Sequence, residues 1–184
     1  MDRIAAHLHD EFDLERRQLV LEFENTISID CPIDEVFAFL SDFENIPKWN
    51  YFVLEVRKIS DGPTGIGTTY HQVRKTDEQT FRIVEFVPNQ KVAVKTLPQS
   101  SPDLEMRFRL EEEGTATRVI DEWKLDTGRP ALLERLAAGR IKSAVAENLT
   151  KLKKLLETGH AVLQDGRHAT HERRGESRWI GTIS

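Results

Sequence analysis

Between Ala131 and Glu157 the chain carries one unbroken amphipathic pattern, about seven helical turns long. Leu133, Ala137, Ile141, Ala144, Val145, Leu149, Leu152 and Leu156 recur three or four positions apart, and Arg135, Arg140, Lys142, Glu147, Lys151, Lys153 and Lys154 fill the positions between. Pro130 stands where a missing N–H costs nothing, and Gly159 stands where a left-handed residue can close the last turn. A helix roughly 40 Å long with a single apolar stripe must be covered by something of similar length. The small residues Ala137, Ala138, Gly139, Ala144 and Ala146 thin its middle. Either a strand backbone comes close there or a space is left open, and the two readings lead to different functions.

The rest of the chain limits what the cover can be. A length of 184 residues suits one domain with extensions. No apolar run reaches the roughly 18 residues of a membrane span, and Met1-Asp2-Arg3-Ile4 opens no signal region, so a cytoplasmic protein with no integral membrane association is expected. Cys31 is the single cysteine, which rules out an intrachain disulfide and a thiolate metal cluster. The net charge of −5 is uneven: the helix holds six basic and three acidic residues, and the segment before it is strongly acidic. Such a body speaks against nucleic acid as a partner, because phosphate neutralisation needs a basic surface. The basic face of the helix is either a solvated exterior or a docking surface for an acidic partner.

From Leu19 onward, Leu19, Leu21, Phe23, Ile27 and Ile29 alternate with Val20, Glu22, Glu24, Thr26 and Ser28, giving a long strand with one wet face. Asp30-Cys31-Pro32 ends it and opens a short helix bearing Val36, Phe37, Phe39 and Leu40. Ser41-Asp42-Phe43-Glu44 fits a capping box, so a second short helix is expected, stopping before Pro47. Strands are then expected near 53–59, 68–75, 80–87, 91–97, 104–112 and 115–125, with breaks at Asp61 to Gly67, Thr76-Asp77-Glu78, Pro88-Asn89, Pro98 to Pro102 and Gly114. Connections this short make hairpins, and the sheet they build is antiparallel. The glycines at 62, 65 and 67 lead into a strand and lack a following Gly-Lys-Ser/Thr, so they are hairpin geometry and not a phosphate loop. An antiparallel sheet of seven strands twists and curls, and a curled sheet buries a long helix on its concave side.

The order of elements resembles the START-related superfamily, also described as the helix-grip, Bet v 1-like or SRPBCC fold, and within it the polyketide cyclase/dehydrase-like branch. The residues that carry the resemblance are Ile29-Asp30-Cys31-Pro32-Ile33-Asp34-Glu35-Val36-Phe37, Asp42-Phe43-Glu44-Asn45-Ile46-Pro47-Lys48-Trp49, Gly65-Ile66-Gly67-Thr68, Phe86-Val87-Pro88-Asn89 and Gly114-Thr115-Ala116-Thr117-Arg118-Val119. It extends from about Glu22 to Glu157. It implies an α+β helix-grip fold: a seven-stranded curved antiparallel sheet around a long C-terminal helix, with two short helices after the first strand. On that reading residues 1–18 are an N-terminal extension, 19–158 the domain and 159–184 a mobile tail. The resemblance also implies an interior pocket for a small, largely apolar molecule, lipid-like or polyketide-like. Similar folds serve lipid carriers, hormone receptors, cyclases and co-chaperones, and share no catalytic motif.

Candidate chemistry is sparse. Asp121 shares a strand face with Thr117, Val119, Trp123 and Leu125; facing inward it would be a tuned acid or base, facing outward an ordinary surface carboxylate. Tyr70 and Gln72 share a face opposite to His71, so one set can reach a pocket; Tyr70 joins Asp121 as a catalytic candidate. Trp49 and Tyr51 are either a lid over a ligand or packing that fixes the short helices. Met106 and Phe108 from one strand, Trp123 from the next, and Ile141 and Val145 from the helix, with Gln72, complete the expected ligand contacts. The pairs His7/His9 and His168/His171 have no metal-site spacing, Cys31 has no basic neighbour in sequence, and Asn148-Leu149-Thr150 falls inside a helix, so no metal, cofactor or glycan is expected. The function expected is binding of a small hydrophobic or aromatic molecule, with an acid–base cyclase or dehydratase, or a module docking a protein through the helix face or tail, as alternatives. A monomer or homodimer is expected.

Overall fold

The computed structural model describes residues 20–172 apart from 99, 127, 129 and 130, with backbone only for 131–137. Strand β1 (Leu21–Ile29) leads into helix α1 (Ile33–Ser41) and a 3-10 helix (Phe43–Lys48). Six strands follow: β2 (Val53–Lys58), β3 (Thr69–Arg74), β4 (Glu78–Val87), β5 (Lys91–Thr96), β6 (Asp103–Glu113) and β7 (Ala116–Asp126). The long helix α2 (Ala131–Thr158) comes next, then a small hairpin of β8 (His160–Val162) and β9 (His168–Thr170). All neighbours in the main sheet are antiparallel, in the order β1-β7-β6-β5-β4-β3-β2. The expected α+β architecture is present. The expected extension at 1–18 lies outside the described residues.

Three local expectations need correction. The 3-10 helix runs through Pro47, because so short a helix tolerates one missing donor. Its cap is Asp42, whose Oδ1 accepts from Glu44 N at 3.2 Å, while Ser41 belongs to α1. The chain from 160 to 170, expected to be tail, is an ordered hairpin with Ala161, Leu163 and Ala169 buried. Gly159 and Gly166 take the left-handed conformations that its two bends require. Within the expected tail, residues 173–184 lie outside the description.

The sheet faces α2 with its odd-numbered residues in β1 and β7 and its even-numbered residues in β6. Bulges between Val53 and Glu55 and between Ile83 and Glu85 add twist to its second half. The outer face of the sheet carries a lattice of ion pairs. Arg107 reaches Glu85 at 3.0 Å and Glu122 at 3.3 Å, and Arg109 reaches Glu111 at 3.4 Å and Glu122 at 3.6 Å. Such exposed pairs contribute little individually and keep that face wet.

On the inner face the second half of α2 is packed solid. Leu149, Leu152, Leu155 and Leu156 are at most 1% exposed and join one core with Ile29, Val36, Phe37 and Val119. That end is also pinned by polar contacts. Glu157 Oε1 accepts from Asp30 N and from Lys153 Nζ, each at 2.7 Å, and Lys153 Nζ donates to Ser28 O at 2.6 Å. Thr117 donates to Cys31 O at 2.8 Å, and the buried Cys31 Sγ donates to Leu156 O at 3.5 Å.

Candidate functional site

Strand register sorts the inner face into transverse rows. Leu125, Leu104, Thr96 and Phe81 form one row, and Trp123, Met106, Val94 and Ile83 the next. Asp121, Phe108 and Val92 form a third, nearer the packed end. The stretch of α2 at residues 140–148 stands away from the first two rows and leaves a cavity of about 490 Å³. Its walls are mostly apolar, with Arg140, Ile141, Ala144, Val145 and Asn148 on the helix side and Phe43, Ile46 and residues 49–53 on the third. Of the small residues of α2, Ala144 borders this space, while Gly139 is exposed on the outside of the helix. A hollow of this size and character suits a small ligand with a largely apolar body.

Of the residues expected to contact a ligand, Trp49, Tyr51, Gln72, Met106, Trp123, Ile141 and Val145 lie in the cavity wall. Phe108 does not: it is in the third row, roofed by Trp49 with ring centroids 6.2 Å apart. The two catalytic candidates also stand outside the wall. Asp121 does face inward, 1% exposed, but in the third row, where α2 has already closed on the sheet. Burial, reinforced by the charge of Glu122, pushes its carboxyl up to about 7, and the Trp123 side chain pulls it back only in part. Its Oδ1 has no hydrogen-bond partner. Tyr70 is wedged between Phe43 and Phe81, each 5.4 Å away, and its hydroxyl meets the Thr64 side chain. His71 faces the other way and lies 3.2 Å from Glu78.

Sequence reading missed Phe43, Gln79, Phe81, Val94, Thr96 and Leu104 as wall residues. Most follow from the same alternation that exposed Met106 and Trp123. Gln79 does not, because a glutamine one residue into a strand reads as a solvated position. It is 2% exposed and sits directly across from Gln72.

The mouth of the cavity is held from outside by the β8–β9 hairpin. The Arg167 guanidinium donates to Tyr51 O at 2.7 Å, Val53 O at 3.1 Å, Pro47 O at 3.4 Å and Asn50 O at 3.5 Å. Asp165 orients that guanidinium at 3.0 Å and also binds Lys75 at 2.9 Å. Lys75, foremost, together with Arg167 holds the Asp165 carboxyl down at about 2. Lys75 in turn lies over the Tyr51 ring, 4.7 Å from its centroid. The aromatic rim is thus fixed by charges supplied from the far end of the chain.

Among the described residues no group of His, Cys, Asp and Glu forms a metal site, and no helix is long and apolar enough to cross a membrane. A family sequence model described as polyketide cyclase / dehydrase and lipid transport matches residues 20–157. No curated protein matches the chain in sequence. Solved structures with a similar fold include TTHA0849 from Thermus thermophilus, at 17% identity and TM-score 0.61, covering 73% of this chain and 95% of that one. The di-domain ARO/CYC StfQ from the steffimycin biosynthetic pathway is similar at 17% identity and TM-score 0.60, over 84% of this chain and 54% of that one. The Aha1 dimer from Colwellia psychrerythraea aligns at 20% identity and TM-score 0.54, over 76% and 98%. At these identities the likeness is one of fold.

Proposed function

The chain belongs to the polyketide cyclase / dehydrase and lipid transport family, and from that membership we propose that it holds a small, largely apolar molecule between the sheet and the stretch of α2 at residues 140–148. The observation that carries this reading is the cavity itself. A core that packs leucines to 0–1% exposure at one end of the helix leaves about 490 Å³ unfilled at the other. An empty apolar space of that size costs stability, and a chain that needed only a core would fill it. A bound molecule would lie with its apolar body on Trp123, Met106, Leu104 and Val94, beneath Ile141, Ala144 and Val145, and leave past Tyr51.

Binding is favoured over acid–base catalysis by where the titratable groups stand. General acid–base chemistry needs a group within hydrogen-bond reach of the reacting atom. Asp121 and Tyr70 are both outside the wall, separated from the space by Trp123 and Met106 in one case and turned toward Thr64 in the other. Docking of a protein through the tail gains no support from the hairpin, whose Arg167 and Asp165 are engaged within the molecule.

Native mass spectrometry of the protein purified from its own host tests the reading. An adduct that leaves on denaturation, and that is absent from an Ala144→Phe variant, is the expected result. A bare wild-type protein that also fails to take up any hydrophobic probe would overturn it.

A further inference from the structure

We propose that the amide of Gln79 selects for ligands that present a hydroxyl group, a refinement that rests on the binding role of the cavity. The polar atoms of the wall divide into those already engaged and those that are not. Thr96 Oγ1 accepts from Leu104 N at 2.8 Å and lies 3.3 Å from Pro102 O. Asn148 Oδ1 accepts from Gln164 Nε2 at 3.4 Å. Arg74 is bound to Asp77.

Gln79 is different. Its Nε2 donates to Pro102 O at 3.3 Å, which fixes the orientation of the amide, since the flipped form would set two carbonyl oxygens against each other. Its Oε1 is then left buried in a wall residue with no partner. Being an acceptor, that oxygen is satisfied only by a donor. Gln72, opposite it across β3 and β4, is 8% exposed and also in the wall, and its amide makes no hydrogen bond among the described residues. A hydroxyl fits this pair, because it donates to Gln79 Oε1 and accepts from Gln72 Nε2. A methyl ether has no donor. A carboxylate has none either and meets the Gln79 oxygen with like partial charge. A ligand lacking the donor leaves the acceptor unpaired, and such mismatches are rejected about 5- to 150-fold.

Three probes of one shape separate the possibilities: 2-naphthol, 2-methoxynaphthalene and 2-naphthoate, titrated into the full chain at pH 7 by calorimetry. The expected result is that 2-naphthol binds at least about tenfold tighter than the other two. In Gln79→Met, which keeps the side-chain length and removes the amide, naphthol should weaken to the level of the ether while the ether stays unchanged. Equal affinity of naphthol and ether for the wild type overturns the proposal and leaves the cavity reading standing. A preference that persists in a folded Gln79→Met variant moves selection to another residue and equally overturns it. Preference for naphthoate assigns recognition to Arg140 at the mouth and does the same. If none of the three binds, the cavity reading fails and the proposal falls with it. The wild-type comparison needs no variant, so it stands even where Gln79→Met does not fold.

Discussion

The two halves of α2 share one sequence pattern and one sheet, yet one half is core and the other is a wall of empty space. In the C-terminal half the stripe is leucine at 149, 152, 155 and 156, and the helix is tied to β1 through Glu157 and Lys153. Around residues 140–148 the stripe is Ile141, Ala144 and Val145, and the cavity lies between it and the first two sheet rows. The difference teaches that a helix-grip fold anchors itself at one end and leaves the other free to be shaped. Stability and recognition occupy different turns of the same helix.

The most severe way to break this division is at the packed end. Leu152→Ala should cost about 2–5 kcal/mol in denaturant unfolding, since its neighbours cannot collapse onto the gap. Ile141→Ala, facing open space, should cost clearly less. A cost as large at 141 as at 152 would mean that the halves are energetically alike.

The buried acid of the packed end should show itself in the pH dependence of stability. The folded carboxyl of Asp121 titrates near 7, above the ordinary 3.8, so the folded state binds the proton more tightly than the unfolded chain does. Stability from this group is therefore fully present below about pH 4 and is lost as pH rises through 7. At about 1.4 kcal/mol per unit, the loss is a few kcal/mol at most. Asp121→Asn should flatten stability between pH 5 and 8, leaving the variant ahead of wild type at pH 8. An unchanged slope would place the carboxyl in contact with water.

The hairpin adds a third, smaller effect. Arg167→Ala removes the donor shared by four carbonyl oxygens, and about 1–3 kcal/mol should go with it. Probe release, followed by stopped-flow, should quicken more than in any packed-end variant of equal stability. The smallest stability change belongs to the hollow half. Ala144→Phe should alter unfolding by under about 1 kcal/mol, because the ring enters existing space, while naphthol binding is lost. A large loss of stability there would show that the cavity closes in solution.

Much of this was readable in the chain. Alternation and turn chemistry located the strands, and the long stripe located the helix, because these signals are local. The small residues of α2 correctly posed a choice between close backbone and open space, and the place of Ala144 in the cavity wall decides it. Depth was not readable. A period of two tells which face Phe108 and Asp121 occupy, but not how far along the strand the helix lifts away, and that distance is set by Trp49 and the leucines of α2. The hairpin had a signal that went unused: Ala161 and Leu163 alternate up to Asp165-Gly166, and Ala169 follows on the return. Three-residue strands among histidines and charges are weak evidence until the surface that receives them is known. The grip of Arg167 on a loop more than 110 residues earlier has no local signature at all.

That grip has a consequence for how such a protein can diversify. Arg167 takes hold of the main-chain oxygens of Pro47, Asn50, Tyr51 and Val53, atoms that every residue type supplies. Side chains around the opening are therefore interchangeable fittings on a frame that stays bolted. An engineer who replaced Tyr51 or Phe52 to admit a new guest would be redrawing the doorway without touching its hinge.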